Sequence, residues 1–240
     1  GAPMRTLRTL LAFCILTTIA AVAAADDTTS LREQRMRMVT EQIAARGIED
    51  EAVLRAMRSV HRHHFVPEEM RPFAYEDRPL PIGREQTISQ PYIVAFMTAA
   101  LDLAPDHRVY ELGTGSGYQA AVLAEIVDAV YTVEIVSELA ARAERTLQRL
   151  GYDDVHVRAG DGWAGWPEAA PFDRIVVTAA APELPETLLD QLKPGGRMIL
   201  PLGPDGGRQD LVLVRKTEDG RIVTRELLPV RFVPVTRDPR

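Results

Sequence analysis

The residues with the clearest potential for chemistry are three closely spaced glycines, Gly113, Gly115 and Gly117, and the carboxylate Glu111 just before them. A β-prone run ends at this point, and a helical segment, residues 119–126, follows. Because glycines lack a Cβ atom, a turn built from them is tight and its backbone can approach a ligand closely. Such a strand–turn–helix is typical of the first strand of a doubly wound sheet, where nucleotide-like cofactors bind.

The spacing of the glycines indicates which cofactor the turn would hold. A dinucleotide site has the pattern G-x-G-x-x-G, whose third position is Tyr118 in one register and Ala120, which the pattern tolerates, in the other. Glu111 would repel a pyrophosphate, but it suits a cofactor that carries an ammonium and a sulfonium. The pattern E-x-G-x-G-x-G therefore resembles the first motif of methyltransferases that use S-adenosylmethionine. The alternative is a purely structural turn.

Two further acids follow later β-rich runs. Glu134 lies near the end of the run 129–135, about 20 residues after the glycines, where an acid can accept hydrogen bonds from both ribose hydroxyls. Asp161 follows the run 155–157, in the turn Gly160-Asp161-Gly162. It could contact an adenine amino group, although an isolated turn residue of this type also predicts a plain Asx-turn.

The elements that must position these residues alternate along the chain. A helix is predicted from Ser137, which offers an N-cap, to the stop signal Gly151. Next come a strand at 175–177 and a short helix at 185–192. The turn Pro194-Gly195-Gly196 then precedes a strand at 198–202, and a hairpin is predicted around residues 219–220. This order predicts an α/β fold with a doubly wound, mostly parallel, Rossmann-like sheet and an antiparallel edge.

Composition and charge exclude several classes of protein. Of 240 residues, 46% are hydrophobic, which is enough for one substantial core, and the net charge of −6 gives no basic surface for nucleic acid. His61, His63 and His64 suggest a metal, but no H-E-x-x-H pattern or cysteine partner accompanies them, so we expect no metal site. Trp163 and Trp166 are more typical of packing or a pocket wall than of nucleic-acid stacking.

The first 25 residues have the features of an expression scar, Gly1-Ala2-Pro3, followed by a secretory signal peptide at 4–25. Arg5 and Arg8 supply the positive region, an apolar run follows at 10–24, and alanines at 23–25 offer a cleavage site. We therefore expect a periplasmic or secreted chain without stable membrane association. An uncleaved signal that anchors the chain is the lesser alternative, because the run is short for a span of about 20 residues.

The mature chain is expected to be a single domain, residues 26–240, and a monomer. It would contain N-terminal helices and a lid at 26–107 and a cofactor-binding core at 108–240. The only cysteine, Cys14, lies in the signal run, so the mature chain would have no disulfide and no thiol chemistry.

The region before the glycine turn is predicted to be helical, with amphipathic patterns at 31–45 and 51–60. A proline-rich stretch at 78–91 follows. Ser89 then precedes an apolar helical run, residues 92–103, with Pro91 in its first turn. By residue type and position, Ser89 is predicted to be the N-cap of this helix.

Several motifs taken together resemble the protein-L-isoaspartate O-methyltransferase family. They are F-V-P at 65–67, A-Y-E-D at 74–77, L-P-I-G at 80–83, Q-T-I-S-Q-P at 86–91, E-L-G-T-G-S-G-Y at 111–118, D-G at 161–162, L-K-P-G-G-R at 192–197 and V-R-F-V-P at 230–234. The resemblance covers about residues 35–235, and Q-T-I-S beside a methyltransferase glycine motif is specific to this family.

The resemblance implies methyl transfer from S-adenosylmethionine to the carboxylate of isoaspartyl residues in damaged proteins and peptides. It implies that Ser89 is the active-site serine and that Thr87 and Ile88 close over the donor. It assigns donor contacts to Glu111, Gly113, Gly115, Gly117, Glu134, Asp161 and Gly162.

Glu85 departs from the family pattern, which usually has glycine before Q-T-I-S. If that position requires a positive φ, glutamate costs on the order of 1 kcal/mol there. Its carboxylate would also repel an acidic substrate.

The predicted chemistry needs no catalytic dyad, because a carboxylate is already ionised at neutral pH and requires no general base. Ser89 would orient the substrate carboxylate, and not act as a nucleophile. Two alternatives stay open: a non-catalytic peptide-binding module on the same fold, and a methyltransferase for a different carboxylate.

Overall fold

The computed structural model describes residues 28–204 and 207–235, so the predicted signal peptide lies outside the described residues. The strands of the described part are β1 (Leu80–Gly83), β2 (Gln86–Ile88), β3 (Arg108–Leu112), β4 (Ala129–Glu134), β5 (Val155–Ala159), β6 (Phe172–Val177), β7 (Leu192–Leu202), β8 (Gln209–Lys216) and β9 (Ile222–Val230). Its α-helices are α1 (Thr29–Arg37), α2 (Glu51–Ser59), α3 (Pro91–Ala100), α4 (Tyr118–Ala124), α5 (Ser137–Arg149) and α6 (Glu186–Gln191).

Seven strands form one sheet in the order β5-β4-β3-β6-β7-β8-β9. The pairs from β5 to β7 are parallel, and β8 and β9 add an antiparallel edge. The predicted α/β fold is confirmed. The chain runs outward from β3 to β5 and then returns to β6 on the other side of β3. Ligands of open α/β sheets bind at such a reversal, outside the carboxyl ends of the strands.

The two faces of the sheet bury different helices. Val109 and Val176 point to the face that packs against α2, α3, α4 and α5, whereas Tyr110 and Ile175 point to the face covered by α6. This alternation follows from the two-residue period of a strand, and both faces are apolar because both are covered. No helix in the described part is long and apolar enough to span a membrane.

The N-terminal region is helical as predicted, but its first helix is interrupted. After α1 the backbone changes to a π-helix, Met38–Ile43, and then to a 3₁₀ turn, Ala44–Arg46. Gly47 ends the segment with a φ of +91°. The second predicted helix is α2, which Asp50 caps by accepting a hydrogen bond from the Ala52 amide at 2.9 Å.

Helix α5 lies where it was predicted, but its N-cap differs from the prediction. Leu139, Ala143 and Leu147 are buried. Ser137 is the first helical residue and not the N-cap; Val136 takes the cap position, and no side chain caps the helix. The local acceptor is instead Glu134, whose Oε1 atom accepts a hydrogen bond from the Val136 amide at 2.9 Å.

The predicted turn Pro194-Gly195-Gly196 lies inside β7, which begins at Leu192. Phe172 of β6 is opposite Leu192, but Arg174 is opposite Arg197, so additional residues of β7 are accommodated as a bulge. A bulge allows the strand to continue where the sequence pattern indicates a turn.

Candidate active site

The glycine turn after β3 has the tight backbone conformation that its three glycines predict. Gly113, Gly115 and Gly117 have φ values of +95°, +54° and +87°. A Cβ atom at residue 113 would lie 2.5 Å from the Thr178 hydroxyl oxygen. That hydroxyl donates a hydrogen bond to the Gly113 carbonyl oxygen at 2.6 Å, so the turn is held against the end of β6. A side chain at residue 113 would therefore disrupt the site.

Glu134 ends β4 beside this turn and supports it. Its Oε2 atom accepts a hydrogen bond from the Gly115 amide at 2.7 Å, while Oε1 accepts the bond from the Val136 amide. Each carboxylate oxygen can accept a second hydrogen bond. Because Glu134 also lines the cleft above the turn, it can bind the hydroxyls of a ribose without releasing Gly115.

Asp161 and Gly162 follow β5 at the same edge and also line the cleft. Asp161 Oδ1 accepts a hydrogen bond from the Trp163 amide at 2.9 Å, which caps a 3₁₀ turn, Gly162–Ala164. Its carboxylate retains a second oxygen that can accept a hydrogen bond from a ligand. Trp163 contributes to the cleft wall, as predicted for a packing or pocket residue.

The cleft as a whole is acidic. Among the described residues that line it, the only charged side chains are Glu134 and Asp161. Within the described lining, a cofactor with phosphate groups would meet two carboxylates and no cation, whereas one with an ammonium and a sulfonium would be attracted. The donor set therefore fits S-adenosylmethionine better than a dinucleotide.

Two of the predicted donor contacts, Glu111 and Gly117, are not part of the cleft wall. Glu111 is fully buried beneath the turn, and its Oε2 atom accepts a hydrogen bond from the Thr132 hydroxyl at 2.6 Å. Burial raises the pKa of the Glu111 carboxyl to about 8. A direct donor contact does not fit this position, because the side chain points below the turn and not into the cleft.

The hairpin β1–β2 covers the cleft and places Thr87 and Ile88 in its wall. Arg84 and Glu85 form its turn with φ values of +55° and +58°, so the glutamate does occupy a conformation that favours glycine. The side chain at this position does not line the cleft, and a direct repulsion of substrate therefore has no basis in its position.

Helix α5 holds this hairpin from outside. Arg142 donates a hydrogen bond to the Ile82 carbonyl oxygen, and Arg84 forms an ion pair with Glu138. The Ile82 side chain in turn packs over Gly115, where a Cβ atom would be 3.5 Å from Ile82 Cδ1. The hairpin, α5 and the glycine turn are thus mutually connected.

Ser89 is not the N-cap of α3. The cap is Gln90, with φ −51° and ψ 137°, and Pro91 is the first helical residue. A proline disfavours helical geometry in the residue before it, so the helix cannot begin at Gln90 and the cap cannot be Ser89. Ser89 is half-buried and lies in the wall between the acidic cleft and a second cavity.

The second cavity has a volume of about 470 Å³ and adjoins the cleft along Thr87, Ser89, Thr178 and Val233. Its other walls are Pro79, Gln90, Ile93 and residues 229–232. Its only charged lining residue in the described part of the chain is Arg231. Two adjoining spaces of opposite charge therefore meet at Ser89.

Thr178, Ala179 and the segment 233–235 also line the cleft, although none of them was predicted to be a site residue. Thr178 and Ala179 directly follow β6, as Glu134 ends β4, so their position after a parallel strand was a usable signal. The segment 233–235 reaches the site through a bridge between Ala180 and Pro234. This long-range pairing has no local signal in the sequence.

The ligand atoms of His61, His63 and His64 lie within 4.8 Å of one another. The group contains no carboxylate among the described residues, and His63 and His64 are buried. Arg62, adjacent in sequence, is fully buried with its guanidinium 4.8 Å from the Tyr118 ring centre. One ring is held by a side chain of the core, because His63 Nδ1 lies 2.7 Å from the Tyr75 hydroxyl oxygen. We interpret the group as part of the core.

Comparisons with known proteins show the family of this chain. The family described as protein-L-isoaspartate(D-aspartate) O-methyltransferase matches residues 33–239. A protein-L-isoaspartate O-methyltransferase of Opitutus terrae is 55% identical over 232 residues, which are 97% of this chain and 99% of the relative. One from Gloeobacter violaceus is 58% identical over 201 residues, 84% of this chain and 98% of the relative.

Solved structures with the same description superpose on this chain. A protein-L-isoaspartate O-methyltransferase superposes with a TM-score of 0.77 at 32% identity, over 84% of this chain and 66% of the other chain. A Plasmodium falciparum protein described as the same enzyme, in complex with S-adenosyl-L-homocysteine, superposes with a TM-score of 0.73 at 26% identity, over 85% of this chain and 99% of the other. This chain belongs to the protein-L-isoaspartate O-methyltransferase family.

Proposed function

We propose that this chain is an exported repair enzyme that transfers a methyl group from S-adenosylmethionine to the carboxylate of isoaspartyl residues in damaged proteins. The family membership supports this reaction. The structural observation that carries it is the position of Ser89, in the wall shared by an acidic cleft and a second cavity that contains an arginine.

The acidic cleft is the donor site in this proposal. S-adenosylmethionine, when bound, supplies an electrophilic methyl group on its sulfonium sulfur; the S–CH3 bond breaks as the methyl group is transferred, and the sulfur leaves as the neutral thioether of S-adenosylhomocysteine. We assign the ribose hydroxyls to Glu134 and the adenine amino group to Asp161. Thr87 and Ile88 cover the site and limit the access of water.

The second cavity is the acceptor site. An isoaspartyl carboxylate has a pKa of about 4 and is ionised at neutral pH, so its oxygen is already a nucleophile and no base is needed. The Ser89 hydroxyl donates a hydrogen bond to this carboxylate and orients it toward the cleft. Orientation and exclusion of water together can contribute several kcal/mol to lowering the barrier.

The test uses the purified chain and two peptides that differ only in an isoaspartyl or an aspartyl residue. We expect S-adenosylmethionine to bind in calorimetry and the isoaspartyl peptide to become a methyl ester, while the aspartyl twin is not methylated. Absence of donor binding, or equal methylation of the two peptides, would contradict the proposed function.

Export and a monomeric state complete the proposal. Export is supported by Arg5, Arg8 and the apolar run at 10–24. In the native host, the mature chain is expected to begin near Asp26 and to be found outside the cytoplasm. Mass analysis of the N-terminus checks this, and an intact N-terminus on cytoplasmic protein would contradict it. Sedimentation of the purified chain checks the monomeric state.

A further inference from the structure

The charge of the acceptor cavity differs from that of the donor cleft beside it. In the described part of the chain, Arg231 is the single charged residue in its lining, and no acid shares the wall. The other lining residues are uncharged and include both polar side chains, such as Gln90 and Thr178, and apolar ones, such as Ile93 and Phe232. The cavity therefore offers one cationic group to an anion in addition to the hydroxyl of Ser89.

Arg231 is available for such an interaction. It directly follows β9, at the end of the strand that approaches the site, and its side chain is exposed. Two other arginines in this part of the sheet are paired: Arg197 with Asp102 at 2.8 Å, and Arg208 with Asp210 at 2.9 Å. No ion pair or hydrogen bond within the described residues involves the Arg231 side chain. A guanidinium in this state is a ready partner for a carboxylate.

We infer that Arg231 is a specificity-determining residue, which makes the enzyme prefer isoaspartyl peptides with an acidic side chain next to the isoaspartyl residue. The inference rests on the proposed function, because it requires the second cavity to be the acceptor site. When Ser89 holds the isoaspartyl carboxylate, the neighbouring peptide residue lies along the remaining wall, where Arg231 is the only charge among the described residues. A glutamate there gains an ion pair, whereas a lysine meets repulsion.

The expected preference is modest, because an exposed ion pair is screened by solvent. Measured exposed pairs correspond to a change of about two- to fivefold in an equilibrium constant. The same pair weakens as salt rises, since the Debye length falls from about 10 Å at 0.1 M ionic strength to about 3 Å at 1 M. The preference should therefore be largest in dilute buffer.

The experiment measures kcat/KM for three isoaspartyl peptides that differ only in the residue after the isoaspartyl position: glutamate, glutamine or lysine. The wild-type chain should rank them in that order, with about two- to fivefold between glutamate and glutamine at low salt. Arg231→Gln should remove the ranking, and Arg231→Glu should reverse it. Arg225→Gln, on the exposed edge strand and outside the acceptor cavity, is the matched control and should keep the wild-type ranking.

The outcomes separate this inference from the function on which it depends. Methylation of all three peptides at one rate by the wild-type chain would overturn the inference and leave the methyltransferase function intact. A loss in Arg231→Gln that is equal for all three peptides would also overturn it, because Arg231 would then act on the isoaspartyl carboxylate itself. Failure to methylate any isoaspartyl peptide would overturn the function and the inference together.

Discussion

The carboxylate of Glu134 and the backbone amide of Gly115 are joined by a hydrogen bond of 2.7 Å. This bond connects the end of β4 to the centre of the glycine turn that follows β3. The residue assigned to the donor ribose therefore also fixes the turn on which the donor lies. Loss of the carboxylate should affect both binding and the order of the turn.

We expect Glu134→Ala to weaken the binding of S-adenosylmethionine by about 1–3 kcal/mol, because the ribose hydroxyls lose a charged acceptor. Titration calorimetry at constant ionic strength measures the change. Glu144→Ala, an exposed glutamate on α5, is the control and should bind as the wild type does. Unchanged affinity in Glu134→Ala would remove this residue from the donor site.

In the turn of the hairpin β1–β2, Glu85 has a φ of +58°, which is sterically unfavourable for a residue with a Cβ atom. Glu85→Gly should increase the free energy of unfolding by up to about 1 kcal/mol, since glycine adopts this conformation without steric cost. Glu85→Ala removes the same side-chain interactions but keeps the Cβ atom, so the comparison of the two variants isolates the strain. Urea denaturation measures both, and an alanine variant as stable as the glycine variant would contradict the explanation.

Because of Glu111, the free energy of unfolding should fall as the pH rises toward 8. Burial raises the pKa of its carboxyl to about 8 in the folded chain, whereas the unfolded value is about 4.3. Between these pH values the folded state binds the extra proton. The contribution of Glu111 to stability is therefore fully present below about pH 4.3 and falls by about 1.4 kcal/mol per pH unit as the pH rises toward 8.

Glu111→Gln has nearly the same shape and cannot ionise. Its free energy of unfolding should therefore decline less steeply than that of the wild type between about pH 5 and 7, by about 1.4 kcal/mol per unit. Urea denaturation of both proteins at three pH values in this range gives the two slopes. Parallel slopes would show that Glu111 is ionised in the folded chain.

The sequence predicted the parts of the site that depend on local patterns. The strand–turn–helix at Gly113, the acid Glu134 at the end of β4 and the hairpin at the antiparallel edge all follow from the spacing of apolar residues and glycines. These features agree with the structure because short-range geometry determines them. The positive φ of Glu85 was only a condition in the sequence, because the hairpin β1–β2 that imposes it was not predicted.

The remaining parts could not be predicted because they depend on competing or long-range effects. Ser89 has the residue type of a cap, but Pro91 fixes the helix start one residue later, at the cap Gln90. Glu111 has the position of a donor contact in the sequence, but the pleat of β3 directs it below the turn. The bridge between Ala180 and Pro234 brings the C-terminal segment to the cleft without any local signal.

Substitution of Ser89 tests the proposed function most directly, because Ser89 is assigned to the acceptor carboxylate and does not cap α3. We expect Ser89→Ala to bind S-adenosylmethionine as the wild type does and to unfold within about 0.5 kcal/mol of it. Ser59→Ala, an exposed serine at the end of α2, is the matched control and should keep full activity.

The decisive measurement is kcat/KM of Ser89→Ala for an isoaspartyl peptide. The assignment of Ser89 to the acceptor carboxylate predicts a fall of at least about tenfold, equivalent to about 1.4 kcal/mol of lost transition-state stabilisation. Wild-type kcat/KM in this variant would contradict it, because the acceptor carboxylate would then be oriented by a residue other than Ser89.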